Sequence, residues 1–185
     1  MSVKRFFQTS AGKLRHAIAQ NDLLTAARLA EQFDSLQLRE TLDITLAAAM
    51  TPQMAAVISG PNGASSRKSS SRDGMMGPPF LVVLSSLLNA NNIPAVDVVI
   101  RKEKDGFNGP HGTEAMTAIA LSPMEDTDKL RFLKMVLEGG HNRMIFPERA
   151  AFLAGNAGFA TIAQPLRAIL GKTAPYVPQP QRTWA

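Results

Sequence analysis

The sequence predicts an all-α fold made of short, paired helices, and three observations support this prediction. Apolar residues recur at i, i+3 and i+4 in short segments, and each segment is bounded by Pro, Gly, Asn or Asp. Apolar residues make up 45% of the 185-residue chain, which is enough to form a core. The chain has no cysteine, which excludes a disulfide framework, a thiolate zinc site and a cysteine nucleophile.

The first predicted helix pair lies near the N-terminus. The segment "KLRHAIAQ" places Leu14, Ala17 and Ile18 on one helical stripe. After the turn residues "ND", the segment "LLTAARLAEQF" continues the apolar spacing as far as Phe33. Neither helix is long enough to be stable alone in water, so both must bury their apolar stripes against neighbouring helices.

The second and third predicted pairs flank a long insertion. "TLDITLAAAM" precedes "TPQMAAVI", where Thr51 is suited to cap the helix and Pro52 to occupy its first turn. "PFLVVLSSLLNA" precedes "IPAVDVVIRKE", where Pro94 marks another helix start. The helix predicted from "PFLVVLSSLLNA" is apolar nearly all round, as expected for a helix in the middle of a stack.

The fourth predicted pair consists of "TEAMTAIAL", the break "SPMEDTD" and "KLRFLKMVLEGG". Glu125, Asp126 and Asp128 are interpreted as negative charge and a cap for a helix beginning at Lys129. A calcium site is the alternative, but the spacing and glycine of a calcium loop are missing. The fifth pair is predicted from "PERAAFLAGNAG" and "FATIAQPLRAIL", with Pro165 kinking or starting its second helix.

An α/β fold remains the alternative for the centre of the chain. "FLVVL" and "VDVVI" are rich in β-branched residues and fit buried parallel strands, with "SSLLNANN" as the crossover between them. A parallel crossover needs about a dozen residues or more. Residues 85–95 barely provide that length and include Pro94.

Breaker residues divide the chain into a body and flexible parts. Residues 1–11 are interpreted as an N-terminal segment, 12–170 as the helical domain and 171–185 as a Pro-rich tail. Within the domain, residues 60–79 hold five Ser, four Gly and three Pro, the composition of a flexible insertion. The chain's single Tyr and single Trp, Tyr176 and Trp184, lie in the tail, where they dock onto the body or contact a partner.

The net charge of +5 is concentrated outside the predicted body. Residues 1–59 carry six Lys/Arg against five Asp/Glu, and residues 80–170 carry nine of each. The excess lies in the insertion (Arg67, Lys68 and Arg72) and in the tail (Lys172 and Arg182). A duplex-binding face needs Lys and Arg clustered on an ordered element, so this distribution argues against nucleic acid as a partner.

The sequence also predicts a soluble, cytoplasmic protein without a membrane span. Its longest apolar runs, such as "PFLVVL" and "TLAAAM", are far shorter than the ~20 residues of a membrane helix. The N-terminus has basic residues but lacks the continuous apolar region of an ordinary secretory signal.

Residues with catalytic chemistry are few. The three histidines, His16, His111 and His141, are scattered along the chain, and His111 lies in the turn-like stretch "NGPHGT". The alternative function is therefore a small α/β enzyme that uses His111 or His141 as an acid or base. Metalloprotease, P-loop and nucleophile-elbow motifs are all missing from the sequence. We therefore expect no enzymatic activity, catalytic residue, metal or cofactor.

The fourth predicted pair resembles an ankyrin repeat, in which Gly-x-Thr opens the first helix and Leu-Glu-x-Gly ends the second. The matching residues are Gly112, Thr113, Ala115, Ala118, Val136, Leu137, Glu138 and Gly140. Glu114 and Met116 stand where the motif has Pro and His. The first pair is similar through Ala17, Asn21, Asp22 and Leu29, and the last through Ala154 and Gly158. The resemblance covers about five degenerate repeats, with a family period of about 33 residues.

The resemblance implies an ankyrin-like helix-turn-helix solenoid that binds another protein through its concave face and inter-repeat loops. The positions it implies for partner binding are Lys104, Phe107, His111, Glu114, Met116, Arg143, Met144 and Arg149. Phe107 and Phe146 either anchor the partner or pack under their own loops. A bacterial adaptor, or an effector delivered into a host cell, fits the same resemblance. A regulatory role for the Ser-rich basic insertion is a further alternative.

Overall fold

The computed structural model describes residues 9–60, 78–107 and 110–139. All regular elements in these ranges are helices, and no strand occurs in them. The prediction of an all-α fold is confirmed for this part of the chain. The α/β alternative is wrong here, because both proposed strands, residues 80–84 and 96–100, lie within helices.

The α-helices of the described ranges are numbered here in chain order. They are α1 (Ser10–Ala19), α2 (Leu23–Ala30), α3 (Ser35–Thr41), α4 (Ile44–Ala49), α5 (Pro52–Ile58), α6 (Pro79–Asn89), α7 (Ile93–Lys102), α8 (Pro110–Leu121) and α9 (Asp126–Gly139). A short 3₁₀ helix, Lys104–Gly106, follows α7.

The predicted helix starts are found, with two shifts. The Thr51 side chain accepts a hydrogen bond from the Met54 backbone N–H at 3.2 Å, and Pro52 is the first residue of α5, as the sequence predicts. α9 begins at Asp126 rather than Lys129, so that Asp126 and Asp128 lie in its first turn. There their negative charges face the positive end of the helix dipole. α8 begins at Pro110, three residues before the expected Thr113.

The segment "TLDITLAAAM", predicted as one helix, holds only the last residue of α3 and the whole of α4, and the rest of α3 was not predicted. Leu42 leaves the helical conformation, with ψ at 91°. The Asp43 side chain then accepts a hydrogen bond from the Leu46 N–H at 2.9 Å and starts α4. An aspartate at this position stabilises a new N-terminus better than a helix interior, so the chain bends here.

The helices pack in two layers. α1, α3, α4, α6 and α8 form the first layer, in which α3 and α4 lie between α1 and α6, and α8 packs on α6. α2, α5, α7 and α9 form the second layer and pack on each other in that order. Across the layers, α1 pairs with α2, α6 with α7 and α8 with α9. The extensive contacts therefore join helices of the same pair or of neighbouring pairs.

The core lies between the two layers. Its largest fully buried apolar side chains are Leu14, Leu38, Met54, Ile58, Phe80, Leu84, Leu87, Leu88, Ile100, Phe107 and Phe132. Burying an apolar side chain of this size stabilises the fold by about 1.5–3 kcal/mol, which offsets the entropy of ordering the short helices.

The turns of α1–α2 and α6–α7 have the same construction. Asn21 and Asn91 both adopt the left-handed conformation, with φ of 53° and 54°. Asn is one of the few residues other than Gly that tolerates this region. The next residue, Asp22 or Asn92, caps the following helix by accepting a hydrogen bond from the backbone N–H three residues later.

Hydrogen bonds also join the turns of the first three predicted pairs. The Thr51 hydroxyl donates to the Asn21 side-chain oxygen at 2.8 Å. Asn92 Nδ2 donates to the carbonyl oxygens of Ala47 and Met50, both at 2.9 Å. These carbonyls lie at the C-terminal end of α4 and its cap, so a side chain of the third pair satisfies backbone groups of the second.

Parts of the predicted domain organisation lie outside the described residues. These parts are most of the N-terminal segment, residues 61–77 of the insertion, the fifth helix pair and the tail. Within the described ranges, α1 begins at Ser10 and α6 at Pro79. No helix in these ranges has the length and apolar character needed to cross a membrane.

Candidate functional site

A groove crosses the first layer and has a volume of about 510 Å³. Its walls come from three consecutive parts of that layer: α3 with its C-cap residue, α6 and α8. The lining residues are Arg39, Leu42, Leu81, Val82, Ser85, Ser86, Asn89 and Glu114. We call this site the first-layer groove.

Helix α6 forms the central wall of the first-layer groove. Val82, Ser85, Ser86 and Asn89 follow the i, i+3, i+4, i+7 spacing that places them on one face. The Ser86 hydroxyl donates to the Val82 carbonyl of its own helix at 3.0 Å. Ser85 is partly exposed and Asn89 exposed, and neither has a polar partner among the described residues. These two side chains are therefore free to bind a ligand.

The groove has an apolar floor. Leu42, Leu81 and Val82 are buried but line it, and their side chains are also part of the core. An apolar floor beside polar walls is the usual composition of a site that binds by shape and by a few oriented hydrogen bonds.

The two charged residues of the groove lie on different helices. Arg39 is exposed on α3, and Glu114 lies on α8 with 56% of its side chain exposed. Glu114 Oε2 is 4.0 Å from His111 Nδ1, and Arg39 has no ion pair or hydrogen bond within the described ranges. The site therefore has charges of both signs, in contrast to the one-sign surface that a nucleic acid needs.

The structure separates the predicted partner-binding residues into three groups. The first group lies at the surface. Glu114 lines the first-layer groove, His111 is about half exposed, and Lys104 is exposed on the 3₁₀ helix. Phe107 and Met116 are fully buried, at 0% exposure each. Arg143, Met144 and Arg149, together with Phe146 and His141, lie outside the described residues.

Phe107 and Met116, which were predicted to contact a partner, are thus part of the core and do not reach the surface. The Phe107 ring packs edge-on against Phe80 of α6, with centroids 5.5 Å apart and planes at 81°. Such edge-to-face pairs add about 0.5–1.5 kcal/mol to the burial of the rings. Phe107 thus packs under its own loop, the other interpretation that the sequence left open.

The His111–Glu114 pair is a weak candidate for acid–base chemistry. Its separation of 4.0 Å exceeds hydrogen-bond length, and both side chains are about half exposed. The imidazole ring of His111 also lies edge-on to the Phe80 ring, with centroids 6.4 Å apart. Within the described ranges, no three His, Asp or Glu side chains come together to hold a metal ion. The expected roles of Asp126 and Asp128 are structural, as described above.

Two other grooves lie at the α1 end of the layers. One, of about 450 Å³, lies between α1 and α4 and is lined by Arg15, Asp43 and Leu46 among others. The other, of about 660 Å³, lies on α1 and α2 and has mostly apolar walls. Arg15 is already engaged, because its guanidinium donates to the Glu40 and Thr41 carbonyls and lies 3.8 Å from Asp43. The groove on α1 and α2 also carries polar side chains without a hydrogen-bond or ion-pair partner in the described ranges, namely Lys13, Gln20 and Arg28. Of these three grooves, the first-layer groove is the one walled by three helices.

Arg39, Ser85 and Asn89 were not among the predicted site residues. A signal for two of them was present, since Ser85 and Asn89 stand four residues apart in a helix whose only other polar residue is Ser86. Polar residues at that spacing on a helix surrounded by core indicate one face turned away from the core. No comparable signal pointed to Arg39.

In the comparisons with known proteins, the chain matches no protein-family model, no curated protein and no solved structure.

Proposed function

We propose that this protein is an ankyrin-like solenoid that binds another protein in the first-layer groove and has no catalytic activity of its own. The observation that carries the proposal is the groove itself. It crosses three consecutive parts of the first layer and presents free hydrogen-bonding groups, Ser85 and Asn89, above an apolar floor.

The solenoid part of the proposal is supported by the packing order and the turns. In a solenoid each unit packs on its immediate neighbours, as the two layers do here. Asn21 and Asn91, at the centres of two turns with the same construction, are 70 residues apart (91 − 21). Two ankyrin periods span about 66 residues. We therefore group the nine described α-helices as four of the proposed five repeats, with α3 and α4 together in the first-helix position of the second repeat.

The choice of a protein partner is supported by the chemistry of the groove. Ser and Asn side chains can both donate and accept hydrogen bonds, which suits a peptide backbone. The apolar residues Leu42, Leu81 and Val82 offer a surface for the partner's side chains. In an ankyrin-like solenoid the first helices line the concave face, and two of the helices that wall the groove, α6 and α8, are the first helices of their pairs. An adaptor in the cytoplasm, or an effector in a host cell, is the role we infer for such a protein.

The proposal is tested with two variants that add the same side chain to opposite layers. Asn89→Trp fills the first-layer groove, whereas Gln53→Trp adds an indole to an exposed position of α5 in the second layer. Proteins captured from lysate by the full chain are identified, and the Kd of each purified candidate is measured for the parent and both variants. Circular dichroism and urea unfolding check that both variants are folded.

We expect a partner whose Kd rises at least tenfold with Asn89→Trp, about 1.4 kcal/mol, and is unchanged by Gln53→Trp. If every captured protein binds the Asn89→Trp variant as tightly as the parent, the first-layer groove is not the binding site and the proposal is refuted.

A further inference from the structure

Arg39 is the arginine that lines the first-layer groove, and most of the other described arginines are engaged elsewhere. Arg101 and Arg131 both pair with Asp97, at 2.6 and 3.6 Å, and Arg15 binds backbone carbonyls of α3. Arg28 also has no hydrogen bond or ion pair in the described ranges, but it lies on α2 outside this groove. Arg39 is exposed, lines the first-layer groove and has no polar partner within the described ranges.

A free guanidinium beside free amide and hydroxyl groups has a defined preference for ligands. The planar guanidinium binds a carboxylate through two parallel hydrogen bonds, a geometry that lysine cannot provide. The Asn89 side chain can donate to a backbone carbonyl and accept from a backbone N–H, and the Ser85 hydroxyl can do either. Together, these groups match an extended peptide segment that carries an acidic side chain.

The opposite wall adds polarity to the site. Glu114 on α8 is more than half exposed, so a second carboxylate bound next to it would be repelled. A peptide in the groove is therefore favoured when its acidic residue lies towards α3 and a basic or neutral residue lies towards α8. Charge complementarity of this kind sets the orientation of a ligand more than its raw affinity.

We propose that the first-layer groove binds an extended peptide segment of the partner protein through an Asp or Glu side chain paired with Arg39. Ser85 and Asn89 hydrogen-bond the peptide backbone, and a side chain next to the acidic residue rests on Leu42, Leu81 and Val82. This inference rests on the proposed function and specifies the chemistry of the partner. Nucleic acid is disfavoured, because Arg39 is the one cation among the lining residues and Glu114 lines the same groove.

The test is a selection from a library of displayed random peptides of about twelve residues, which span roughly 40 Å when extended. The full chain, its Arg39→Glu variant and an Arg28→Glu variant are used as separate targets. Arg28 is exposed on α2 in the second layer, so Arg28→Glu makes the same change of charge away from the groove. All three proteins are first shown to be folded by circular dichroism and urea unfolding.

We expect the parent and the Arg28→Glu variant to enrich peptides with an Asp or Glu at one fixed position. The Arg39→Glu variant is expected to enrich Lys or Arg at that position instead. For one acidic peptide labelled with a fluorophore, fluorescence anisotropy is expected to show a Kd at least tenfold higher with Arg39→Glu. Arg39→Lys keeps the charge but loses the paired hydrogen bonds, so its Kd is expected to lie between those of the parent and the Arg39→Glu variant.

Three results would overturn the inference: no enriched peptide with the parent, enrichment without an acidic position, or the same peptides with Arg39→Glu. The Asn89→Trp variant separates this inference from the proposed function. Peptides that bind Arg39→Glu normally but are lost with Asn89→Trp refute the carboxylate preference and support the groove as a protein-binding site. Peptides that bind both variants as they bind the parent count against both proposals.

Discussion

Substitution of Asn92 tests how the helix pairs are connected, because its side chain forms hydrogen bonds with two of them, at the start of α7 and at the end of α4. Its Oδ1 accepts a hydrogen bond from the Ala95 N–H at 3.3 Å and caps α7. Its Nδ2 donates to the Ala47 and Met50 carbonyls, both at 2.9 Å, at the end of α4. A longer contact joins Nδ2 to the Ala48 carbonyl at 3.5 Å. Asn92→Ala removes all of these interactions, whereas Asn92→Ser retains a capping oxygen and removes the donated bonds.

The expected cost follows from these contacts. Loss of an N-cap costs about 1 kcal/mol. Each neutral hydrogen bond contributes about 1 kcal/mol net. We therefore expect Asn92→Ala to lower the free energy of unfolding by about 3 kcal/mol and Asn92→Ser by about 2 kcal/mol. For a chain of this size, 3 kcal/mol corresponds to a fall in Tm of roughly 6–12 °C.

The measurement is urea unfolding followed by far-ultraviolet circular dichroism, with the slope m compared among the three proteins. An Asn92→Ser variant as stable as the parent would show that the bonds to α4 contribute nothing, and the connection between the pairs would be refuted. Equal losses for Asn92→Ala and Asn92→Ser would show instead that the cap on α7 is unimportant.

Three further predictions concern single side chains. Phe107→Ala removes a fully buried ring and is expected to cost about 3–5 kcal/mol in urea unfolding; a loss below 1 kcal/mol would contradict the packing against Phe80. Lys102→Met removes the ammonium that donates to the Ala56 and Gly60 carbonyls at the end of α5. We expect a loss of about 2 kcal/mol and faster hydrogen exchange in the last turn of α5, and unchanged exchange would contradict this. Hydrogen bonds from the side chain and backbone of Thr25 lower the pKa of the Asp22 carboxyl below its usual 3.8. The ionised carboxylate therefore contributes stability that is lost as the pH falls through this lowered pKa. Between about pH 5 and pH 2 the urea midpoint is therefore expected to fall further for the parent than for Asp22→Asn, and parallel curves would contradict the assignment.

Most helices could be predicted from the sequence because their signals are local. The apolar spacing of α1 and α2 and the Thr51–Pro52 start of α5 depend on residues within a turn or two of each other. α3 was not predicted, and the predicted segment "TLDITLAAAM" began at Thr41, before the break at Leu42 and Asp43. Only the competing cap at Asp43 interrupts the helix.

The central β-branched segments show where local signals are ambiguous. Val82 and Val83 fit a buried strand as well as a buried helix when their sequence alone is considered. The helix is selected because the tight turn at Asn91 and Asn92 returns the chain directly onto α6. A parallel crossover needs a much longer connection than this turn.

The first-layer groove could be predicted only in part. Glu114 was identified because the resemblance placed it at a first-helix start, and the structure puts it in the groove wall. Arg39 comes from a helix 75 residues earlier (114 − 39), and its position depends on how α3, α6 and α8 pack. The burial of Phe107 likewise depends on Phe80, which belongs to a different helix.

The side chains of Arg15 and Asn92 each complete a helix to which they do not belong. A protein shortened after Gly60 would keep the whole of α4 but lose the amide that binds the Ala47 and Met50 carbonyls. A protein that ended before Leu23 would contain α1 without any of the helices that it packs on. A protein without α1 would lose Arg15 and leave the Glu40 and Thr41 carbonyls of α3 without its guanidinium. The units of this protein are therefore not interchangeable, because removing the first or the third pair leaves backbone carbonyls of α3 or α4 without the side chains that bind them.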